Sequence, residues 1–333
     1  SEENLFINDG TLTVDELFLK NLKVGNCESV LAQRLGIEGK VDFEGSIETD
    51  EVVVKENASL KLENGSFKTL LLNKNSSLEV KDKLHLDVLK SIDGSIKNAN
   101  SISINEIADK SSFKEIHNSH FLSINKSHNV SIKTLINSGA FGVNEGSLII
   151  DNFKNQGAFK AQTLEVSNDL LVEGSIEVDN LASNASVEVK EGASLTSQIQ
   201  TQIKGELLID EDGKAELCNL KSDHFTSITN YGSLTINDQR KASLSLNNYG
   251  KAQINGKNGL TDQDGAISVL LNNHESGHLR FNKGTFDISS SNGSNTCSSN
   301  SGTFVSDSDR TIFLKGFKNT GLWTSSNSRR LID

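Results

Sequence analysis

The sequence predicts an all-β chain folded as a right-handed parallel β-helix, a solenoid with rungs of about 18 residues. Two observations carry that expectation and a third supports it. Turn glycines recur through most of the chain at Gly139, Gly157, Gly174, Gly192, Gly213, Gly232, Gly250, Gly284, Gly302 and Gly321. Their steps are 18, 17, 18, 21, 19, 18, 34, 18 and 19 residues, and 34 is close to two ordinary steps. The segments between them alternate apolar and polar residues, as in Leu234-Thr235-Ile236 and Ser243-Leu244-Ser245-Leu246, the mark of strands with one buried face. Helix finds little support: few windows hold an apolar stripe at spacing three and four, and residues 28–36 are the best short candidate.

In chain order, the first third keeps the period with other residues at its corners: Ala58-Ser59-Leu60, Ser76-Ser77-Leu78 and Gly94-Ser95-Ile96 are each 18 apart. From about residue 130 the repeat is more regular. Phe141 and Phe159 each follow Gly-Ala, 18 apart, so their rings should stack in adjacent rungs, as should Asn137 over Asn155. Asn230 over Asn248 repeats the amide pairing. Phe286 and Phe304 are expected to stack in the same way, with Trp323 following 19 later. The corners use Asn, Asp and Gly, which tolerate a left-handed backbone. The 333 residues are read as a single β-helix segment, 1–333, of roughly 18 rungs. Irregular excursions are expected near 105–130, 196–212 and 289–301, and removal of 289–301 is expected to leave folding intact.

Composition agrees with a thin core column: 35% of residues are hydrophobic and 5% aromatic. There is no Pro, which suits continuous ladders that need every backbone N–H. There is no Met, so the chain is expected to be a processed product or a piece of something longer. No run of about 18 apolar residues is present. The net charge of −11 argues against nucleic acid and anionic lipid as partners. Cys27, Cys218 and Cys297 are too sparse for a disulfide framework or a metal spacing, and Cys297 sits in a Ser/Asn-rich stretch expected to be exposed.

Several motifs invite chemistry. His274-Glu275-Ser276-Gly277-His278 matches H-E-x-x-H, but that zinc site needs a helix; here Gly277 and the following Leu279-Arg280-Phe281 predict a corner and a strand. Asp210-Glu211-Asp212-Gly213 and Asp262-Gln263-Asp264-Gly265 contain calcium-loop residue types, yet both fail the first and bidentate positions of the frame. His117, His120 and His128 lie close in sequence without an acidic or Cys partner at ligand spacing. Parallel β-helices include polysaccharide lyases and hydrolases, which need carboxylates on one face of adjacent rungs; Glu173, Glu191 and Asp212 are the one candidate column. No catalytic, cofactor or metal residue is assigned.

At the Asn-x-Gly corners the sequence resembles the filamentous-haemagglutinin-type repeats of large bacterial exoproteins, including two-partner-secretion adhesins and stalks of contact-dependent inhibition toxins. The residues carrying the resemblance are Ile136-Asn137-Ser138-Gly139-Ala140-Phe141, Asn155-Gln156-Gly157-Ala158-Phe159, Asn230-Tyr231-Gly232-Ser233-Leu234 and Asn248-Tyr249-Gly250-Lys251-Ala252. The family's Asn-Pro-Asn-Gly-type secretion motif is missing. The resemblance implies a secreted or bacterial cell-surface, non-catalytic segment, without a cofactor, that presents loops or a tip to a host or neighbouring-cell receptor or glycan. It also implies an outer-membrane transporter that engages a region outside this segment; the net charge argues against nucleic acid, and the lack of a long apolar run against membrane insertion. The alternatives are a β-helical carbohydrate-active enzyme of the lyase or tailspike kind and a self-associating autotransporter passenger.

Overall fold

The computed structural model describes residues 3–6, 10–25, 28–221, 226–240, 242–256, 267–283, 285–289, 298–307, 311–325 and 329–332. These residues form a parallel β-solenoid of about 15 turns at roughly 19-residue spacing. Every described element is a strand, including Ser29–Val54, which contains the one segment with helical leanings. The chain divides into two units, Ser1–Glu165 and Val166–Asp333.

In the first unit each turn contributes three strand runs. Within Phe121–Asn137 and Ala140–Asn155, residues 121–124 lie against 140–143, 130–132 against 148–150, and 134–137 against 152–155. Alternate residues point inward, so Leu122, Ile124, Ile132 and Leu135 are buried while Ser131 and Thr134 face out. Burying each such side chain contributes about 1.5–3 kcal/mol. The first third is as regular as the rest: Ser59 pairs with Ser77 and Leu60 with Leu78, and the Ser95 amide continues the step by donating to Ser76 O. Phe141 and Phe159 stack as expected, with ring centroids 5.3 Å apart; Phe153 packs edge-on against Phe159 at 4.8 Å.

The buried asparagines are the chain's most regular polar feature. In the first unit each Nδ2 donates to the Oδ1 of the next rung: Asn98 to Asn118 at 2.7 Å, Asn118 to Asn137 at 2.8 Å, and Asn137 to Asn155 at 2.7 Å. In the second unit the series is Asn230, Asn248, Asn273 and Asn300, ending on the exposed Asn319, at 2.8, 2.8, 2.6 and 2.7 Å. The same N–H groups also close the corner, as where Asn248 Nδ2 reaches Gly250 O at 3.1 Å. Burial of an amide is tolerated because the ladder supplies its partners. At the first member of each ladder, Asn98 Oδ1 and Asn230 Oδ1 are buried and meet no donor among the described residues. Glycine follows the ladder because the corners nest. A Cβ on Gly157 would lie 2.0 Å from Gly139 O, and one on Gly250 would lie 2.2 Å from Gly232 O.

The register corrects several expectations. After Gly250 the corner glycines are Gly277, Gly302 and Gly321, each with its Cβ position against the corner before it. The interval to Gly284 is therefore not two rungs, and Gly284 itself lies outside the described residues. The turns lengthen to 25 residues between Asn248 and Asn273 and to 27 between Asn273 and Asn300. Consequently Phe304 sits over Leu279 and under Trp323, whereas Phe286 pairs with Ile267 and Ile312; it is Phe281 that stacks on Phe286, at 4.3 Å. The excursions at 105–130 and 196–212 run largely in paired strands, with Ile107, Phe113, Ile116, Ile203 and Leu207 buried in the core. Their extra residues fall at exposed corners, among them Asp109, Lys110, Gln198 and Ile199, between strand runs that keep to the core. Of 289–301, residues 290–297 lie outside the described residues, but Ser298 is buried, its Oγ accepts from Leu271 N at 3.1 Å, and Asn300 is a ladder member. Removing 289–301 whole would therefore remove a ladder rung.

Candidate binding face

Among its described residues the second unit brings together none of the chemistry suggested by motif, and the reasons are geometric. His274-Glu275-Ser276-Gly277 is a corner closed by Gly277 N donating to His274 O at 2.9 Å, and His278 opens the next strand. The two histidines therefore share no helix face. Glu173, Glu191 and Asp212 do not stack as one column. Lys190 N donates to Val172 O and Asp210 N to Val189 O, so Glu173, Lys190 and Asp210 occupy equivalent places. The left-handed residue of the corner is Gly192 in one turn (φ 71°) and Asp212 in the next (φ 57°). Lys190 bridges Glu188 and Asp210, at 2.5 and 3.4 Å, and its pKa is raised, chiefly by the hydrogen bond to Glu188. A cation thus sits where the acidic column was expected.

In the first unit, His117 pairs with Glu115 on the same strand, while His120 and His128 are exposed at other positions. Cys218 is half-buried with its thiol 3.9 Å from Asp238 Oδ2. Cys27, Cys297 and residues 262–265 lie outside the described residues. Among the described residues no group of three or more His, Cys, Asp or Glu side chains is placed to hold a metal ion, and no helix is long and apolar enough to cross a membrane.

What the second unit does assemble is a side of registered outward columns. Strands Ser233–Gln239, Lys251–Gly256, His278–Asn282 and Thr303–Asp307 lie in sequence along it. Their inward residues, among them Leu234, Ala252, Leu279 and Phe304, are buried. Outward lie Ser233, Lys251, His278 and Thr303 in one column and Thr235, Gln253, Arg280 and Val305 in the next. A third column is a second amide ladder. Asn237 Nδ2 donates to Glu216 Oε1 at 2.9 Å, Asn255 Nδ2 to Asn237 Oδ1 at 2.7 Å, and Asn282 Nδ2 to Asn255 Oδ1 at 2.9 Å. Arg280 Nε donates to Asn282 Oδ1 at 3.1 Å, and the guanidinium pairs with Asp307.

The corner that leads into this side carries an aromatic stack. Tyr231 and Tyr249 lie 4.7 Å apart at 15°, and the His274 ring lies 3.8 Å beyond Tyr249 at 8°. Tyr231 is 42% exposed, because its equivalent in the preceding turn is Asp210 and no ring covers that face. Sequence reasoning missed the outer amide ladder. Its only signal was a second pair of asparagines 18 apart, Asn237 and Asn255, seven residues beyond the pair Asn230 and Asn248. No protein-family model, curated protein or solved structure matches this chain.

Proposed function

We propose that the chain is a structural and adhesive solenoid segment of a large exported bacterial surface protein, displaying its side columns to another cell. The observation that supports this reading is the pairing of buried and outer ladders. The inner amides hold successive turns in one register, and that register repeats outward side chains at one-rung spacing as a fixed recognition surface. Each turn templates the next, so such a chain can fold progressively without a long-range nucleus. Its partner is a receptor or glycan on a host or neighbouring cell; nucleic acid is disfavoured by the net charge of −11. Secretion through an outer-membrane transporter, using a region outside this segment, belongs to the same proposal.

The experiment is binding of the purified segment to glycan and cell-surface panels, with the ligands in each well checked for cleavage. Retained, intact ligand is expected. Shortened glycans would replace this reading with that of a carbohydrate-active enzyme, and concentration-dependent self-assembly without heterologous binding would replace it with that of a self-associating passenger.

A further inference from the structure

Beside the outer amide ladder lies a groove of about 710 Å³, within the range of small-ligand sites. Its lining is unusual: no apolar side chain contributes among the described residues. Four carboxamides, Asn237, Gln253, Asn255 and Asn282, form its floor. Two acids, Asp238 and Asp307, are balanced by Arg280 and Lys283.

The hydrogen-bond inventory of that floor is specific. A carboxamide carries two N–H donors. Asn237, Asn255 and Asn282 each spend one of them on the ladder, on Glu216, Asn237 and Asn255 respectively. Asn255 Oδ1 is filled twice, by Asn282 and by Gln253 Nε2 at 3.0 Å. Each ladder amide therefore keeps one N–H for a ligand, and these repeat at one-rung spacing, with Gln253 Oε1 as an acceptor beside them. The amides are held by one another, so little side-chain entropy is lost when a ligand engages them.

We propose that this groove binds a neutral glycan along the ladder. A ligand that satisfies a row of fixed donors and a carboxamide acceptor must itself both accept and donate repeatedly, as vicinal hydroxyls do. Among the described lining residues the two-against-two charge balance gives neither an anionic nor a cationic ligand a net attraction. Among the described residues the groove offers no apolar side chain to anchor a peptide. This inference rests on the adhesive reading and names its ligand class.

The test is an array of neutral oligosaccharides beside sialylated and sulfated ones, read with the wild-type segment and with Gln253→Trp, which places an indole in the groove from an outward position. Gln253→Ala serves as a second variant, and each variant's thermal transition is measured alongside. The expected result is retention of neutral glycans, loss of at least tenfold in affinity in Gln253→Trp with an unshifted transition, and loss of binding after periodate oxidation of the sugars. Equal binding by both Gln253 variants overturns the inference, as does preference for the charged glycans or binding that survives periodate. If no glycan is retained but cells still are, this inference falls and the adhesive reading stands; if neither is retained, both fall.

Discussion

Replacing Asn248 with alanine tests the buried ladder at an interior member. The side chain is fully buried and takes part in three hydrogen bonds: from Asn230 Nδ2 at 2.8 Å, to Asn273 Oδ1 at 2.8 Å and to Gly250 O at 3.1 Å. Two of the three partners have alternatives. Asn230 Nδ2 still reaches Lys251 O at 3.0 Å, and Gly250 O still accepts from His278 N at 2.8 Å. Asn273 Oδ1 has none, so one buried acceptor is newly orphaned. Each lost bond is worth about 0.5–1.5 kcal/mol net and the orphan about 1–3 kcal/mol, which gives roughly 3–5 kcal/mol after partial relaxation. Asn319→Ala is the control, because Asn319 is exposed and receives one ladder bond, from Asn300 Nδ2 at 2.7 Å. Asn300 Nδ2 also donates to Gly302 O at 3.2 Å, so the expected loss there is under about 1 kcal/mol. Urea unfolding followed by far-ultraviolet circular dichroism reads both variants. A loss in Asn248→Ala no larger than that in Asn319→Ala would refute the claim that the inner amides hold the turns in register.

Other consequences can be measured in the same way. Gly250→Ala should destabilise by roughly 2 kcal/mol or more, because its Cβ would meet backbone oxygens of Gly232 and Tyr231 at 2.2 and 2.4 Å, whereas Gly142→Ala, with nothing within 4 Å, should be close to neutral in the same urea titration. Leu246→Ala, at a position 1% exposed, should lose about 2–5 kcal/mol; a loss below about 1 kcal/mol would contradict its place in the core. In the first unit the Glu79 carboxyl is held below the usual glutamate range, first by the Lys61 hydrogen bond, and Glu38 likewise by Lys20 and then Lys55. A folded-state pKa below the unfolded one stabilises above the ordinary glutamate range, and this stabilisation is lost as pH falls through the lowered value. The thermal transition should therefore drop on acidification below about pH 4, and Glu79→Gln should flatten that drop; an unchanged slope would count against the assignment.

Much of the architecture was legible because residues one turn apart carry matching roles. Asn137 and Asn155, Asn230 and Asn248, and Phe141 and Phe159 all fall 18 apart and do meet. Legibility failed where sequence distance stopped measuring the axial step. The stretches 257–266 and 290–297 lie within turns that run to 25 and 27 residues between ladder members, so counting from Gly250 to Gly284 placed Phe286 in the wrong column. The acidic column failed for a related reason. Counting was anchored on glycine, but the left-handed corner position is filled by Gly192 in one turn and by Asp212 in the next. The outer ladder was hidden because Asn282 follows a lengthened turn, 27 residues after Asn255.

The inner ladder also has a direction. Asn248, Asn273 and Asn300 each turn the oxygen toward the preceding rung and an N–H toward the following one. A peptide unit, the same chemical group, carries a dipole of about 3.5 D, and such dipoles add when aligned head to tail. The column is thus a side-chain counterpart of the helix macrodipole, negative at the Asn230 end and positive at the Asn319 end. Its uncapped oxygen cannot be removed by lengthening the column backward. An asparagine in place of Ile209, whose position precedes Asn230 in the same register, would satisfy Asn230 Oδ1 and present its own oxygen instead. The uncapped pole belongs to the column as a whole, and only a donor of another kind, such as a hydroxyl, a lysine or a water molecule, can close it.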